Sequence, residues 1–230
     1  MKRVALIPAR GGSKRLPRKN IVSFLGKPML AHSIEVALDT RLFDEIYVST
    51  EDDEIASIAL SYGAKIHNRP VGLAGDNNTV AEVCTNFIES QSAAGVNWDQ
   101  LIVLYAASPL RNAHDVKSVV HELEKGDCGV AMGVTAYSHY VHQAMTINEK
   151  GHANPVFPKW ISEKRENIPK FCVSNGSIYA IDPEKFLENP SFYPKDLRVY
   201  EMPRERSVDI DTWDDLLFAE ALALLPNKKR

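Results

Sequence analysis

Short apolar runs rich in β-branched residues alternate along the chain with segments of helical periodicity. The apolar runs predict strands at 4–7, 45–49, 64–67, 100–105 and 129–135. The periodic segments predict helices at 29–38, 53–62, 79–93 and 112–125, with Gly63 closing the second. Strands that alternate with helices of this length form right-handed crossover units. We therefore predict a Rossmann-like α/β fold, with a mostly parallel sheet and helices on both faces.

This alternation stops near Ala136 and resumes near residue 176. Residues 136–175 are rich in turn signals, so we predict that they form an arm that leaves the sheet. The α/β pattern then returns, with predicted strands at 177–181, 197–201 and 207–210, a short helix after Pro183 and a final helix at 212–225. The expected organisation is one α/β domain, built from 1–135 and 176–230, with the arm inserted between its two parts.

Composition narrows the class of protein. The 230 residues suit one large domain, and 44% hydrophobic with 25% charged residues is ordinary for a globular chain. A net charge of −3 gives no basic field for nucleic acid, and no apolar stretch reaches membrane-spanning length. The first apolar run is too short for a signal peptide, and the three cysteines form no paired framework. We therefore expect a cytoplasmic protein without nucleic-acid or membrane partners.

The first candidate site is the segment IPARGGSKRLPRKN, residues 7–20, directly after the first predicted strand. Gly11 and Gly12 leave room for backbone N–H groups to approach a phosphate, and five lysine and arginine side chains surround them. A cationic loop at the carboxyl edge of a parallel sheet suits a triphosphate. The segment is neither the dinucleotide-binding glycine fingerprint nor a P-loop, and a solvated basic turn is the alternative.

The second candidate site is the segment RSVDIDTWDD, residues 206–215. Asp209 and Asp211 lie two positions apart at the end of a predicted strand, so we expect both carboxylates to point to one face. Beside a polyphosphate, such a pair would hold Mg²⁺. The alternative is a strand end followed by a capped helix, which is how we interpret Asp214 and Asp215.

Two further segments are weaker candidates on their own. The loop at 69–79 is long and polar and follows a predicted strand, as binding loops do, but it also fits an ordinary surface loop. The segment at 174–182 enters a strand, and its Asn175-Gly176 pair is also typical of a plain hairpin turn.

Together, these segments give the chain a resemblance to the nucleotide-sugar cytidylyltransferases, in particular the CMP-N-acetylneuraminate synthetases and their relatives acting on other nine-carbon keto-sugar acids. The resemblance runs from Val4 to about Leu225 and rests on IPARGGSKRLPRKN, EIYVSTEDDEIASIA, RPVGLAGDNNT, LYAASPLR, NGSIYAID and RSVDIDT in collinear order. It implies transfer of CMP from CTP to the anomeric hydroxyl of the sugar, release of pyrophosphate and a need for Mg²⁺. It also implies a homodimer in which each arm closes over the partner's active site.

The resemblance also assigns roles by matching position. The catalytic set it implies is Arg10, Lys14, Lys19, Asp209 and Asp211, of which the two aspartates would hold the metal. The nucleotide-binding set is Ala9, Arg10, Gly11, Asn20, Arg69, Asn78 and Thr79. The sugar-binding set is Tyr105, His142, Arg165, Asn175, Tyr179, Phe192 and Tyr193.

The aromatic pair at 192–193 has two interpretations. By resemblance, the partner subunit lends these two side chains to the pocket for the N-acyl group of the sugar. Pro190 and Pro194 flank the pair, which favours an exposed, rigid segment. The alternative is that the two aromatics pack on the core of their own chain.

Departures from the resemblance lie on the sugar side. Tyr105-Ala106-Ala107 stands where sialic-acid synthetases usually have Gln-Pro-Thr, and His142 stands where a lysine is usual. The expected acceptor is of the N-acetylneuraminate or legionaminate type, with pseudaminic acid as the alternative, since SKRLPRKN is similar to that branch. A non-catalytic nucleotide-binding module and a nucleotidyltransferase for a phosphorylated sugar or alcohol are the competing functions. No residue is an obvious general base, and both Asp209 and a metal-bound hydroxide stay open.

Overall fold

A computed structural model describes residues 1–137 and 139–225. Its strands are β1 (Arg3–Pro8), β2 (Ser23–Phe24), β3 (Lys27–Pro28), β4 (Glu45–Thr50), β5 (Lys65–Asn68), β6 (Gln100–Leu104), β7 (Val130–Ala136), β8 (Met145–Ile147), β9 (Ala153–Pro155), β10 (Cys172–Ile181) and β11 (Arg198–Glu201). Its α-helices are α1 (Met29–Thr40), α2 (Asp53–Ser61), α3 (Val80–Ala93), α4 (Ala113–Leu123), α5 (Pro158–Ile161), α6 (Pro183–Glu188) and α7 (Trp213–Leu224).

Within the described residues, seven strands form one sheet in the order β11-β7-β10-β6-β1-β4-β5. β1 is parallel to β4 and β6, β4 is parallel to β5, and β11 is parallel to β7. β10 is antiparallel to both of its neighbours, β6 and β7. Six strands therefore run in one direction and β10 runs in the other, so the predicted mostly parallel α/β fold is confirmed.

Two apolar cores cover the two faces of the sheet. On one face, Ile34 of α1, Ile55 of α2 and Val116 of α4 pack against inward-facing strand residues. On the other face, Phe87 of α3 and Phe186 of α6 do the same. The central strands are therefore buried on both faces, which explains why β6 is apolar at nearly every position.

Polar caps fix where the main helices begin. Thr79, Asn112 and Thr212 each form a capping box at the start of α3, α4 and α7, and Asp52 accepts the Ile55 N–H at the start of α2. These caps lie at the ends of loops that follow strands. They therefore fix the loops as well as the helices.

Three details differ from the sequence-based expectation. The predicted strand at 207–210 is wrong: these residues pair with no strand, and the Ile210 N–H instead donates to the Ala107 carbonyl at 2.9 Å. β10 begins at Cys172, inside the segment predicted to be an arm. The small hairpins β2–β3 and β8–β9 have no clear signal in the sequence because their strands are only two or three residues long.

Candidate active site

The loops that carry the candidate residues meet at one edge of the sheet. The six parallel strands all end at this edge, and β10, which runs the other way, begins there. The loops after β1, β5 and β6 and the segment that leads into α7 therefore converge. This is the edge at which open α/β sheets bind their ligands.

A cleft of about 260 Å³ opens where these loops meet. Its walls include nine of the residues expected from the sequence, which are Arg10, Lys14, Lys19, Asn20, Arg69, Asn78, Thr79, Tyr105 and Asp211. They come from four separate segments, so the fold brings together groups that are up to 201 positions apart, from Arg10 to Asp211.

Lys19 and Asp211 form the central contact of the cleft. The Lys19 Nζ donates to Asp211 Oδ1 at 2.8 Å, and Arg15 reaches Asp211 Oδ2, also at 2.8 Å. Burial alone would raise the pKa of the Asp211 carboxyl, but the hydrogen bond and charge of Lys19, with the charge of Arg15, outweigh it and hold that pKa below its usual range. Asp211 is therefore a carboxylate held ionised between two cations.

A second group of cations in the cleft pairs with a different carboxylate. Arg10 and Lys14 both pair with Asp76, and the Arg10 Nη1 lies 3.0 Å from Asp76 Oδ1. Arg10 also donates to the Ala74 carbonyl at 3.3 Å, and the Asn20 amide donates to the Arg10 carbonyl at 2.8 Å. The Lys14 side chain is mostly exposed, and that of Arg10 is more buried.

Arg69 is the most buried cation of the cleft, with only 7% of its surface exposed. Its Nη2 donates to the Ser49 carbonyl at 2.9 Å, and its Nε donates to Ser49 Oγ at 3.2 Å. Burial lowers the pKa of the guanidinium, while the nearby charge of Glu51 opposes that shift. A guanidinium fixed at the end of a strand can present its remaining N–H groups in one orientation.

Asp209 lies beside the cleft rather than on its wall. It rests against Gly176, where an added Cβ would come within 3.0 Å of Asp209 Oδ2, so a larger residue would displace the carboxylate. The carboxyl keeps an exposed surface, yet the protein around it removes much of its hydration. This desolvation, aided by the charges of Asp211 and Asp215, raises its pKa to about 6 against the opposing charge of Lys19.

The donor set of this region fits a divalent cation. The pKa of Asp209 is raised, first by desolvation and then by the charge of Asp211, and an added cation would offset both effects. Mg²⁺ commonly binds through one or two carboxylates and completes its shell with water and phosphate oxygens. No group of three or more histidine, cysteine or acidic ligands occurs in residues 1–137 and 139–225, so phosphate oxygens would have to supply part of the shell.

Ala9 and Gly11 support the cleft from behind. Ala9 is buried, and its N–H donates to the Ser49 carbonyl at 2.9 Å. The Gly11 N–H donates to Glu51 Oε1 at 2.7 Å. In this structure, the Gly11 N–H therefore bonds to a carboxylate of the same chain and does not point into the cleft.

The residues expected on the sugar side fall into two separate places. In the first, Tyr105, Tyr179 and Phe192 stack in sequence, with ring centroids 5.4 Å and 4.4 Å apart. Phe192 also contacts Phe186 and is half-buried in its own chain, whereas Tyr193 is 68% exposed. The two members of the aromatic pair thus have different environments.

Asn175 lies four positions before Tyr179 on the same strand, β10. It is buried, and its amide nitrogen donates to Ser207 Oγ at 3.0 Å. Its carbonyl oxygen Oδ1 is buried without a hydrogen-bond partner. The pairing of β10 with β7 shifts register between Ser174 and Tyr179, so this part of the strand departs from a regular ladder.

His142 and Arg165 lie in the second place, a separate cavity of about 320 Å³ within the arm. The Arg165 guanidinium lies 5.0 Å from the ring centroid of Tyr140, and the His142 ring lies 5.4 Å from the same ring. Within one chain, these two residues therefore do not share a cavity with Lys19 or Asp211.

Comparison with known proteins decides the family. The profile described as cytidylyltransferase matches residues 4–168. The chain belongs to the cytidylyltransferase family. It is 34% identical to a pseudaminic acid cytidylyltransferase of Campylobacter jejuni and 32% identical to a CMP-N,N'-diacetyllegionaminic acid synthase of Legionella pneumophila. Each of these alignments covers 96% of both chains.

Other relatives agree with this membership. An N-acylneuraminate cytidylyltransferase of Escherichia coli is 30% identical over 99% of this chain and 53% of the relative. The fold resembles that of a CMP:2-keto-3-deoxy-manno-octonic acid synthetase solved with CTP, at a TM-score of 0.69 and 23% identity, over 97% of this chain and 98% of the other. The predicted family and the predicted nucleotidyltransferase activity are confirmed. In the described part of this cytidylyltransferase, no helix is long and apolar enough to cross a membrane.

Sequence reasoning missed one buried residue of this cytidylyltransferase, Arg111. Its Nη1 donates to the carbonyls of Tyr105 at 2.7 Å and Ser108 at 3.0 Å, and Nη2 contacts the Ser33 hydroxyl. Burial lowers the pKa of this guanidinium to about 9. Arg111 thereby fixes the loop after β6, and the arginine that ends the LYAASPLR segment was the available signal.

Proposed function

We propose that this cytidylyltransferase transfers CMP from CTP to the anomeric hydroxyl of a nine-carbon keto-sugar acid and releases pyrophosphate. The contact between Lys19 and Asp211 carries the proposal, because it joins a phosphate-binding cation to a carboxylate fit for a metal within one cleft. The names of the relatives support the acceptor class, since they act on pseudaminic, legionaminic and N-acylneuraminic acids.

The triphosphate would lie along the two groups of cations. Arg10 and Lys14, which pair with Asp76, and Lys19, which pairs with Asp211, would exchange their carboxylate partners for phosphate oxygens. Phosphoryl transfer depends mainly on positioning and on stabilising charge that grows on the leaving group. Lys19 is the best placed of the three for this role because it is largely buried, which strengthens its electrostatic effect.

Asp211, with Asp209, would hold a divalent cation, which we infer to be Mg²⁺. When bound, this ion polarises the α-phosphate and neutralises phosphate charge. Asp211 would hold the ion from a fixed backbone, because its N–H donates to Asp215 Oδ2 at 3.1 Å and the start of α7 follows directly.

The base and ribose would lie toward Arg69, Asn78 and Thr79. The Asn78 side chain accepts the Gly75 N–H at 3.1 Å, and Thr79 caps α3. These groups are therefore held in place by the loop itself, as a site that must discriminate between bases requires.

Two acceptors remain candidates. A legionaminic or N-acetylneuraminic type is supported by the relatives at 32% and 30% identity, and pseudaminic acid is supported about equally by the relative at 34%. Tyr105, Asn175, Tyr179, Phe192 and Tyr193 would contact the sugar from the sheet side. We also propose a homodimer, because His142 and Arg165 could then complete the site of the other subunit. We expect this dimer in the cytoplasm.

The test is a pyrophosphate-release assay with CTP, UTP, ATP and GTP, each combined with N-acetylneuraminic, legionaminic, pseudaminic and 3-deoxy-octulosonic acid. We expect turnover with CTP well above that with the other nucleotides, and with at least one nine-carbon acid. Equal turnover with UTP would favour a nucleotidyltransferase of another acceptor class. Binding of CTP without turnover of any acid would favour the non-catalytic module.

A further inference from the structure

The acidic segment that follows β4 contacts the cation loop without lining the cleft. Asp52 accepts hydrogen bonds from both terminal nitrogens of Arg18, and the Nη2–Oδ1 distance is 3.0 Å. Arg18 also pairs with Glu54. Neither Arg18 nor Asp52 is part of the cleft wall. The function described above therefore leaves this ion pair unexplained.

The backbone of Arg18 is held in an unusual conformation. Its φ of 56° and ψ of 28° lie in the left-handed region, which disfavours residues other than glycine. Its carbonyl accepts the N–H groups of Ile21 at 2.9 Å and Val22 at 3.0 Å, so a single turn of 3-10 helix begins here. A non-glycine residue keeps such a conformation only where surrounding contacts fix it. The forked pair with Asp52 is such a contact.

This kink determines where the next side chain points. The Arg18 side chain points to the acidic segment after β4, while Lys19 points into the cleft and contacts Asp211. The other end of the loop is fixed to the same segment, because Glu51 accepts the Gly11 N–H at 2.7 Å. Gly11 also packs so closely on Asp52 that an added Cβ would overlap its carboxylate.

We propose that Asp52 and Arg18 form an anchor that positions Lys19, and that they are positioning residues rather than catalytic ones. Because Asp52 is also the N-cap of α2, the anchor connects the cation loop to a rigid helix start. The hydrogen bond from Arg18 holds the pKa of the Asp52 carboxyl below its usual range, as expected for a formed pair. The proposal rests on the proposed function only for its kinetic readout.

The test uses substitutions that remove the anchor while sparing the local backbone. Arg18→Gly suits the left-handed conformation and removes the side chain, and Asp52→Ser keeps an N-cap for α2 and removes the pair. For each variant we expect kcat/KM for CTP to fall about tenfold, with most of the fall in kcat and little change in melting temperature. The double variant should lose no more than either single variant. Lys27→Ala, which breaks an exposed pair with Glu35 outside the loop, is the matched control and should leave activity unchanged.

A second cycle tests whether the anchor acts through Lys19. In a Lys19→Ala background, Arg18→Gly should change kcat/KM by less than about twofold, because there is no ammonium left to position. An equal tenfold loss in both backgrounds would overturn the proposal, and so would a single Arg18→Gly variant with wild-type kcat/KM. The conservative Arg18→Lys change should restore part of the loss, since an ammonium can reach Asp52 but cannot form the fork.

A readout without substrates separates this proposal from the proposed function. Amide hydrogen exchange of residues 9–20 should be about tenfold faster in Asp52→Ser than in the wild type, with exchange in β6 unchanged. If the wild type transfers no CMP but this difference appears, the proposed function fails and the anchor stands. Unchanged exchange in the loop would overturn the anchor whatever the activity.

Discussion

The cleft and the arm differ in how their charged side chains are held. In the cleft, Lys19, Arg69 and Asp211 each have a fixed partner on a different element of the same chain. In the arm, Arg165 and His142 mainly contact the ring of Tyr140, and β8 and β9 are exposed along their whole length. The cleft is therefore assembled within one chain, whereas the residues proposed to contact the acceptor are divided between the sheet and the arm.

This difference has a physical origin. Groups that must stabilise a growing charge gain most from fixed positions and low hydration, and the buried sheet edge supplies both. A region that selects among related sugars can instead be built on loops, where changes in sequence cost little stability. Substitutions in the two regions should therefore have different kinetic signatures.

The largest effect should follow Asp211→Asn, which keeps the shape of the side chain and removes its charge. We expect kcat to fall on the order of 100-fold or more at saturating Mg²⁺, with the fold retained, because an electrostatic stabiliser of the reacting phosphate is lost. Steady-state kinetics with a magnesium titration would measure this. Asp214→Asn, at an exposed position of the first turn of α7, is the control. Activity of Asp211→Asn near that of the control would contradict the metal assignment.

Substitutions of the two lysines of the cation loop should cause smaller losses of activity, and the two variants should differ in which kinetic constant changes. Lys19 is largely buried against Asp211, while Lys14 is mostly exposed beside Asp76. Lys19→Ala should lower kcat by about tenfold or more and change KM little, because its charge acts mainly in the transition state. Lys14→Ala should mainly raise the KM for CTP. If both variants change only KM, the two lysines contribute to binding alone.

On the acceptor side, alanine variants of Phe192 and Tyr193 should distinguish an effect on stability from an effect on sugar binding. Phe192 packs between Tyr179 and Phe186, so Phe192→Ala should cost about 2 kcal/mol of unfolding free energy and also raise the KM for the sugar. Tyr193→Ala should leave stability unchanged, because its side chain is exposed. Chemical denaturation and sugar kinetics on both variants would measure this, with CTP binding as the control. Unchanged sugar kinetics in both would remove the pair from the acceptor site.

The smallest effect should be a pH dependence due to Asp209. Its pKa is raised from 3.8 to about 6, so the folded protein keeps a proton that the unfolded chain has already lost between about pH 4 and pH 6. This group's contribution to the unfolding free energy is therefore present below pH 4 and falls as pH rises through 6. The unfolding free energy of Asp209→Asn minus that of the wild type should therefore be larger at pH 7.5 than at pH 4.5. The same difference in stability at both pH values would contradict the raised pKa.

The sequence predicted the parts of this fold that a strong local pattern determines. The apolar run of β6 and the helical periodicity of 79–93 and 112–125 gave elements in the right places. Val208 and Ile210 alternate with polar residues as in a strand, but they pack against the region of α7 and have no strand beside them. Whether a segment has a neighbouring strand to pair with depends on the tertiary fold, so the local alternation of apolar and polar residues does not predict it.

The site was predictable to a similar extent. The cation loop and Asp211 carry recognisable sequence segments, and the cleft does bring them together. The partners that hold these groups were not predictable, because Asp76 pairs with two of the cations from a loop that is only polar in sequence. The buried role of Arg111 depends on carbonyls of the loop after β6 and of β10 and on the Ser33 hydroxyl of α1, which no spacing rule connects.

The antiparallel course of β10 has a consequence for how such a protein can change. The arm leaves the sheet at Ala136 and returns at Cys172, and these two residues face each other in the register of β7 and β10. The intervening segment is therefore an insertion with adjacent ends, rooted at the rim of the active site. Segments of this kind can be lengthened, shortened or exchanged while the surrounding sheet keeps its order. Relatives of this enzyme could thus acquire new acceptors through changes in this inserted segment, while the residues proposed to bind the nucleotide stay the same.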